Sequence, residues 1–257
     1  MTTVAHCRYM ALRHLRALAR QPWYVAFTLV QPIIWLLLFS ELFKRVVELP
    51  GFDSGSYIAF LTPGIVVMTA LQSSGWNGMS MIEDLDRGVL DRFLVSPASR
   101  LALIAGRIIQ LALVAAIQSL IVIGLAFVRG ARFDGGPLGV AVLIAVSVLL
   151  AAPFGALSNG LALLVRKEES IIGAVTLVML PLTFVSTVFM AKGLMPAWMR
   201  HVAAFNPVDW AVRAGREALG AHVEWSLVAT RSGWLLALAV VCGWFATRAF
   251  RTYQRSA

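Results

Sequence analysis

Charged residues are scarce in this chain, making up 14% of its 257 residues, while hydrophobic residues make up 59%. Soluble domains carry about 25% charged residues, so this composition excludes an ordinary soluble protein. A mean hydropathy of +0.79 agrees with that exclusion. The formal net charge of +9 would suggest a nucleic-acid partner in a soluble protein, but in a membrane protein the location of the basic residues matters more than their sum. We therefore predict an integral membrane protein with no nucleic-acid partner.

Residues that support catalysis or metal binding are also few. The only two cysteines, Cys7 and Cys242, lie near opposite ends of the chain, which predicts neither a disulfide framework nor a metal site. No G-x-x-x-x-G-K-[ST] nucleotide loop, G-x-S-x-G or H-E-x-x-H motif is present. The adjacent acids Glu168 and Glu169 are typical of a helix N-terminus, where they complement the helix dipole. We therefore predict that the chain is not an enzyme and itself binds no cofactor or metal.

Long hydrophobic runs take the place of charge in this sequence. A helix crosses the hydrocarbon core of a bilayer with about 20 apolar residues, and six stretches reach that length: 23–43, 57–80, 108–128, 138–165, 171–191 and 233–250. None carries an ionisable residue in its central part, so an ion or proton gradient has no candidate coupling residue. No internal repeat or low-complexity linker divides the chain. The predicted fold is an all-α integral membrane domain of six transmembrane helices that occupies residues 1–257.

The distribution of basic residues predicts the orientation of these helices. With six spans both termini lie on one side, and placing them in the cytoplasm assigns 13 of the 22 lysines and arginines to that side. Only 6 of the 13 acids fall there, and basic residues favour cytoplasmic loops. We predict a multi-pass protein of the cell membrane with both termini cytoplasmic. Frequent arginine, alanine and glycine with few lysines suggest a high-GC bacterium.

Residues 3–21 form an amphipathic pattern ahead of the first span. A helix with this pattern lies in the membrane interface, with its arginines near anionic headgroups. An orientation signal without ordered structure is the alternative. The predicted apolar face holds Val4, Cys7, Ala11, Leu15 and Leu18, and the basic face holds Arg13, Arg16 and Arg20.

Residues 82–100 concentrate polarity, with seven charged residues between two long apolar stretches. Leu90 and Phe93 are spaced to share one face of a short helix. Ser96 followed by Pro97 is typical of the N-terminus of the next helix. Because so short a helix is unstable alone, the segment either docks its apolar face against a soluble cytoplasmic partner or is a solvated connector.

Uncharged polar and aromatic residues within the spans are candidates for a substrate path. As a set they suit a cavity for an amphiphile, with polar groups for its headgroup and aromatic rings for its apolar body. Hydrogen bonding between packed helices is the alternative role for each of them. The candidate path residues are Gln31, Trp35, Gln72, Ser73, Trp76, Asn77, Asn159, Thr183 and Thr187.

Several longer motifs resemble the membrane subunits of type-2 ATP-binding-cassette exporters. They are YIAFLTPGIVV from Tyr57, DRFLVSPASR from Asp91, and MPAWMRHVAAFNPVDWAVRAGRE from Met195. The likeness covers nearly the whole chain and is strongest to the daunorubicin-resistance branch, with lipooligosaccharide exporters next.

The resemblance implies a permease subunit of an ATP-driven exporter that moves a hydrophobic drug or lipid-like substrate outward. ATP and Mg²⁺ would be bound by two copies of a separate ATPase subunit, and a second permease copy or a paralogue would complete the membrane part. In that family, residues corresponding to 82–100 hold a cytoplasmic coupling helix, and those corresponding to 192–219 form short outer re-entrant helices. Asn206 and Pro207 match the turn between these outer helices. The residues implied to touch the ATPase are Asp86, Arg87, Leu90, Asp91, Arg92 and Phe93.

Two other functions remain compatible with the sequence. One is export of a lipid-linked saccharide by the same fold, and the other is a non-transporting membrane anchor for a soluble partner. A neighbouring gene for a P-loop ATPase would favour transport over the anchor, and glycosyltransferase neighbours would favour the saccharide.

Overall fold

The computed structural model describes residues 22–48, 56–87 and 100–256, and the regular secondary structure in these ranges is helical. The predicted interfacial helix 3–21 and residues 88–99 of the charged loop lie outside the described residues. The helices are α1 (Pro22–Leu42), α2 (Tyr57–Gly75), α3 (Asn77–Asp86), α4 (Arg100–Val128), α5 (Gly136–Val165), α6 (Glu168–Phe184), α7 (Ala197–Ala204), α8 (Pro207–Ala218) and α9 (Trp225–Ser256). Two 3-10 turns, Lys44–Glu48 and Lys192–Leu194, follow α1 and precede α7.

Four helical stretches within the described ranges are long and apolar enough to cross a membrane. They are Tyr57–Glu83, Ile108–Val128, Gly136–Val165 and Trp225–Ala249. The stretch Ala26–Leu42 of α1 is also apolar but shorter. Helix length and composition therefore agree with a multi-pass membrane protein.

The centre of the bundle is α5, which packs against α2, α3, α4, α6, α8 and α9. The most enclosed candidate span is the one that begins with α2. Of its most apolar 18 residues 78% are buried, against 17% for the corresponding stretch of α9. A helix enclosed on all sides needs no polar face, and α2 consists almost entirely of apolar and small residues. Most of the α9 surface is instead left to the surroundings, which in a membrane are lipid.

The helix ends gather at two opposite ends of the bundle. At one end the ring of Phe43, just after α1, lies 5.7 Å from that of Tyr57 at the start of α2. The N–H of Gly135 donates to the carbonyl of Leu219 at 3.0 Å, which brings the α4–α5 loop and the end of α8 together there. We call this the covered end. The opposite end, here the charged-loop end, holds the starts of α1 and α4, the ends of α3 and α9, and the α5–α6 turn.

Glu168 and Glu169 begin a helix, α6, as the sequence predicted. Arg166 ends α5 in the left-handed conformation with φ of 54°, and α6 starts two residues later. Glu168 and Glu169 lie in the first turn of α6, where carboxylates are stabilised by the helix dipole.

Four predicted spans differ from the observed helices, among them the third, 108–128, whose helix α4 already begins at Arg100. The second, 57–80, is interrupted at Trp76, so that α2 and α3 are separate helices. The helix of the sixth predicted span, 233–250, is α9, which begins at Trp225 rather than at Gly233. The fifth, 171–191, is wrong in its extent, because α6 ends at Phe184. The physical reason is that the side-chain amide of Asn206 donates to the carbonyls of Leu182 and Val185, both of which a helix continuing to residue 191 would use itself.

Candidate functional site

The charged segment leaves the bundle directly from α3. Asp86 and Arg87 are exposed at the charged-loop end, and Arg87 forms an exposed ion pair with Glu83 at 3.5 Å. Exposed pairs of this kind contribute little to stability, about 0 to 1 kcal/mol, so the charges themselves do not anchor α3. The other four predicted ATPase contacts, Leu90, Asp91, Arg92 and Phe93, lie outside the described residues.

The interruption between α2 and α3 is clamped to α5 by one side chain. The hydroxyl of Ser158 donates to the carbonyl of Gly75 and accepts from the N–H of Gly78 at 3.0 Å. Backbone groups that the interrupted helix would have left unpaired are thus satisfied. A Cβ at position 78 would lie 2.6 Å from the backbone oxygen of Ser158, so only glycine permits this approach. The clamp links α3, and through it the charged loop, to the central helix.

Three of the candidate path residues lie at or near this clamp. Trp76 is 38% exposed in the turn between α2 and α3. Asn77 begins α3, and its side chain lies beside Gly155 of α5. Asn159 follows Ser158 on α5, and its buried Oδ1 has no hydrogen-bond partner among the described residues. Among the predicted path residues in the described structure, Asn159 is the one with a buried side-chain polar atom that has no hydrogen-bond partner.

A second polar group joins three helices within the bundle. The hydroxyl of Ser73 on α2 donates to Oε1 of Gln118 on α4 at 2.7 Å. Nε2 of the same amide donates to the hydroxyl of Thr28 on α1 at 2.9 Å. Gln118 is 1% exposed, so this amide acts as a bridge between helices rather than as part of an open surface. Gln72, the neighbour of Ser73, is partly buried.

The predicted path residues of α1 behave differently from one another. Gln31 is exposed. Trp35 stacks on Phe39 with ring centroids 4.8 Å apart and lies 5.5 Å from Phe189 in the segment after α6. The aromatic surface of Trp35 is therefore used to hold α1 against that segment.

The last two candidates, Thr183 and Thr187, are buried and hydrogen-bonded. Thr183 donates to the carbonyl of Met179 one turn earlier in α6 at 2.8 Å. The N–H and hydroxyl of Thr187 donate to Oδ1 of Asp209 at 3.0 and 2.6 Å. The nine candidates are thus divided among the surroundings of the clamp, the part of α2 at the Gln118 bridge, α1, and α6 with the segment that follows it.

The predicted outer turn closes this last segment. Asn206 is buried and caps α8, because its Oδ1 accepts from the N–H of Val208 at 2.9 Å. Pro207 follows in the first helical position, where proline lacks only an N–H that the helix would not use. Asn206 thereby joins the end of α6 to the start of α8.

The sequence reasoning did not single out Asp209 and Arg216, two charged residues of α8 that are hydrogen-bonded to other parts of the bundle. Asp209 is 2% exposed and binds Thr187 as described above. Arg216 donates to the carbonyls of Phe60 and Thr187 at 3.1 and 2.9 Å, and its guanidinium lies 3.7 Å from the centroid of the Phe60 ring. Their spacing of seven residues was the available signal, since it places both on one face of α8.

The environment of Arg216 disfavours its charged form, and a neighbouring carboxylate compensates for part of that effect. Burial lowers the pKa of the guanidinium to about 10, while the charges of Asp209 and Tyr57 oppose that shift and Arg213 adds to it. Arg216 is therefore cationic at neutral pH, and an opposing carboxylate on the same helix offsets part of the cost of burying it.

Comparison with known proteins completes this description. The sequence profile of the ABC-2 type transporter family matches residues 5–219. The chain belongs to the ABC-2 type transporter family. The match includes α1 to α8, and hence the clamp, the Gln118 bridge and the Asp209–Arg216 face.

Relatives within the ABC-2 type family carry names that refer to transport. A daunorubicin resistance ABC transporter permease protein of Streptomyces coeruleorubidus is 30% identical over 192 residues, covering 74% of this chain and 66% of that protein. A putative transport permease of Cyanophora paradoxa is 27% identical, covering 81% and 71%. A probable doxorubicin resistance ABC transporter permease protein of Mycobacterium tuberculosis is 26% identical, covering 83% and 76%. The matched part of the first relative falls just short of two thirds of its length.

Proposed function

We propose that this chain is the membrane-spanning permease subunit of an ATP-driven exporter that moves a hydrophobic drug or lipid-like substrate outward across the cell membrane. The observation that carries the proposal is the family match over 5–219, supported by the names of the two resistance permeases. Hydrolysis of ATP with Mg²⁺ takes place on a separate ATPase subunit, two copies of which bind two permease chains. The second permease is a copy of this chain or a paralogue.

In this proposal the chain crosses the membrane six times, with both termini cytoplasmic. The crossings are α1, α2 with α3, α4, α5, α6 with the residues that follow it, and α9. Residues 3–21 lie at the cytoplasmic interface, and residues 192–219 form short re-entrant helices at the outer side. The covered end thus faces outward, and the charged-loop end faces the ATPase.

The contact with the ATPase is the part of the mechanism that links hydrolysis to movement. The helix in 82–100 docks in a groove of the ATPase subunit with Leu90 and Phe93, while the surrounding charges form a rim. Closure of two ATPase subunits on ATP displaces this helix. The displacement reaches α3 and, through the Ser158 clamp, α5, which contacts six other helices of the bundle.

A double substitution tests this contact. We expect Leu90→Asp with Phe93→Asp to abolish substrate-stimulated ATP hydrolysis by the purified complex, because two carboxylates would have to be desolvated in the groove. The matched control is Leu90→Met with Phe93→Leu, which keeps the face apolar and should retain stimulation. Full stimulation in the aspartate variant would contradict the docking role of Leu90 and Phe93.

Transport itself is tested in proteoliposomes that contain this chain and its ATPase. We expect ATP-dependent movement of a fluorescent anthracycline or of a fluorescent lipid, and no movement with a non-hydrolysable ATP analogue. Binding of the ATPase without movement of either probe would favour a membrane anchor. Movement of a lipid-linked saccharide but of neither probe would favour saccharide export.

A further inference from the structure

An open cleft borders the first turns of α9 at the covered end. Its volume is about 210 Å³, and it is lined by Ser226, Leu227, Thr230, Arg231 and Trp234. In a helix of 3.6 residues per turn, positions 226, 230 and 234 form one row and positions 227 and 231 form the next. The cleft therefore follows one face of α9, with hydroxyl, aromatic and guanidinium groups side by side.

Arg231 has unmet hydrogen-bonding capacity in this cleft. Its guanidinium lies 4.5 Å from the centroid of the Trp234 ring, which fixes its position through a cation–π contact. Its Nη1 is buried and has no hydrogen-bond partner among the described residues. A buried donor without an acceptor is energetically costly and uncommon. A ligand with an acceptor oxygen would satisfy this N–H group.

Positive charge dominates the neighbourhood of the cleft. Arg213 of α8 and Asp209 are the charged groups that act on Arg231, the first repelling and the second attracting it. The Oδ1 of Asp209 is already occupied by two bonds from Thr187. Around Arg231 itself, two arginines therefore face one carboxylate, which favours an anion at the guanidinium, while the carboxylates of Glu217 and Glu224 lie beyond the start of α9.

Aromatic residues place the cleft at the level of lipid headgroups. Trp225 and Trp234 are 50% and 44% exposed on the first turns of α9, and exposed tryptophans concentrate at membrane interfaces. Trp234 also packs edge-on against Trp210 of α8, with ring centroids 5.1 Å apart. The cleft thus has a rigid aromatic wall and opens from the surface of the least enclosed candidate span.

We propose that this cleft binds the phosphate group of an anionic phospholipid. Arg231 donates to the phosphate oxygens, since a guanidinium matches phosphate geometry well, and the hydroxyl of Ser226 lies on the same face to donate as well. The hydroxyl of Thr230 instead donates to the carbonyl of Ser226 at 2.7 Å. Leu227 and Trp234 cover the apolar part of the lipid. A zwitterionic lipid carries the same phosphate, but its cationic headgroup meets repulsion from Arg213. The proposal does not depend on the transport function.

Lipid binding by the purified full chain in detergent tests the site, measured by native mass spectrometry. The probes are phosphatidylglycerol, phosphatidylcholine and inorganic phosphate. We expect phosphatidylglycerol to bind more tightly than phosphatidylcholine, and Arg231→Gln to weaken phosphatidylglycerol binding by about tenfold, as for loss of a charge-assisted hydrogen bond. Arg213→Gln removes a nearby positive charge but no hydrogen bond, so it should weaken phosphatidylglycerol binding by less and narrow the preference over phosphatidylcholine. Arg132→Gln is the matched control, because Arg132 is an exposed arginine of the α4–α5 loop at the same end, and it should leave binding unchanged.

Three outcomes would overturn the assignment. One is equal affinity for the two lipids, and another is unchanged phosphatidylglycerol binding in both arginine variants. The third is displacement of the lipid by inorganic phosphate at equal concentration, which would make the cleft a site for a free anion. Where Arg231→Gln does not yield folded protein, Ser226→Ala and Arg213→Gln carry the test, and unchanged binding in these two would count against the site equally.

Discussion

Asp209 is the buried carboxylate that holds the segment after α6 against α8. Both of its donors belong to Thr187 and lie within 3.0 Å of Oδ1. We expect Asp209→Leu to lower the free energy of unfolding by about 2 kcal/mol, because two buried donors would lose their acceptor. Asp209→Asn keeps an acceptor oxygen and should cost less than half of that. Thermal unfolding of the detergent-purified chain, followed by fluorescence-detected size-exclusion chromatography, measures the difference.

A matched control for this prediction lies at the same end of the bundle. Asp134 is exposed in the loop before α5, so Asp134→Leu should unfold at the same temperature as the unsubstituted chain. If Asp209→Leu were as stable as Asp134→Leu, the carboxylate would not be an anchor for Thr187.

At the scale of residues the sequence predicted types of side chain but not their partners. Gln118 is recognisable as a polar residue in an apolar run, yet its partners Ser73 and Thr28 are 45 and 90 positions away. Those pairings depend on how three helices pack, which no local pattern contains. Asp209 and Arg216 were accessible in principle, since their seven-residue spacing is local. They were overlooked because both lie outside the long apolar runs.

The α2–α3 interruption is the element that connects the charged loop to the membrane helices. We expect Gly78→Ala to separate α3 from α5, because the added Cβ would lie 2.5 Å from the hydroxyl oxygen and 2.6 Å from the backbone oxygen of Ser158. Such overpacking costs about 1 to 3 kcal/mol. Substrate-stimulated ATP hydrolysis of the complex should fall several-fold, while hydrolysis by the isolated ATPase subunit stays unchanged.

Gly124 of α4 provides the control for this experiment. A Cβ at that position would meet nothing within 4 Å among the described residues, so Gly124→Ala should retain both folding and stimulation. Loss of stimulation in both variants would point to a general sensitivity of the helices to alanine. Full stimulation in Gly78→Ala would contradict the role of the clamp.

Local patterns predicted where most helices lie but not where they end. Long apolar runs in the sequence predicted the positions of α1, α2, α4 and α5. The composition of an apolar helix is enough to identify it, because its burial does not depend on a specific polar partner elsewhere in the chain. The end of α6 could not be read locally, because the carbonyls of Leu182 and Val185 are taken by Asn206, more than twenty positions later. The early start of α9 was missed for a related reason. Arg231 interrupts the apolar run there, and its guanidinium is accommodated over Trp234.

For the molecule as a whole, the proposed six-span topology requires α6 to complete a crossing although it is short. Its 17 residues extend about 26 Å at 1.5 Å per residue, less than the hydrocarbon core of about 30 Å. Irregular backbone at membrane depth is tolerated only where protein groups satisfy it. Here Asn206 binds the carbonyls of Leu182 and Val185, and Arg216 binds that of Thr187. Asn206 and the buried polar face of α8 would therefore make a short fifth crossing possible in the proposed topology.

Cysteine labelling of intact cells tests that crossing. Cys7 and Cys242 are first replaced by alanine, and single cysteines are then introduced as Ala221→Cys at the covered end and Lys167→Cys at the charged-loop end, both at exposed positions. A membrane-impermeant maleimide should label Ala221→Cys in intact cells and Lys167→Cys only after lysis. Because a single crossing by α6 is what separates these two positions, labelling of both from the same side would mean that α6 enters and leaves the membrane on one face.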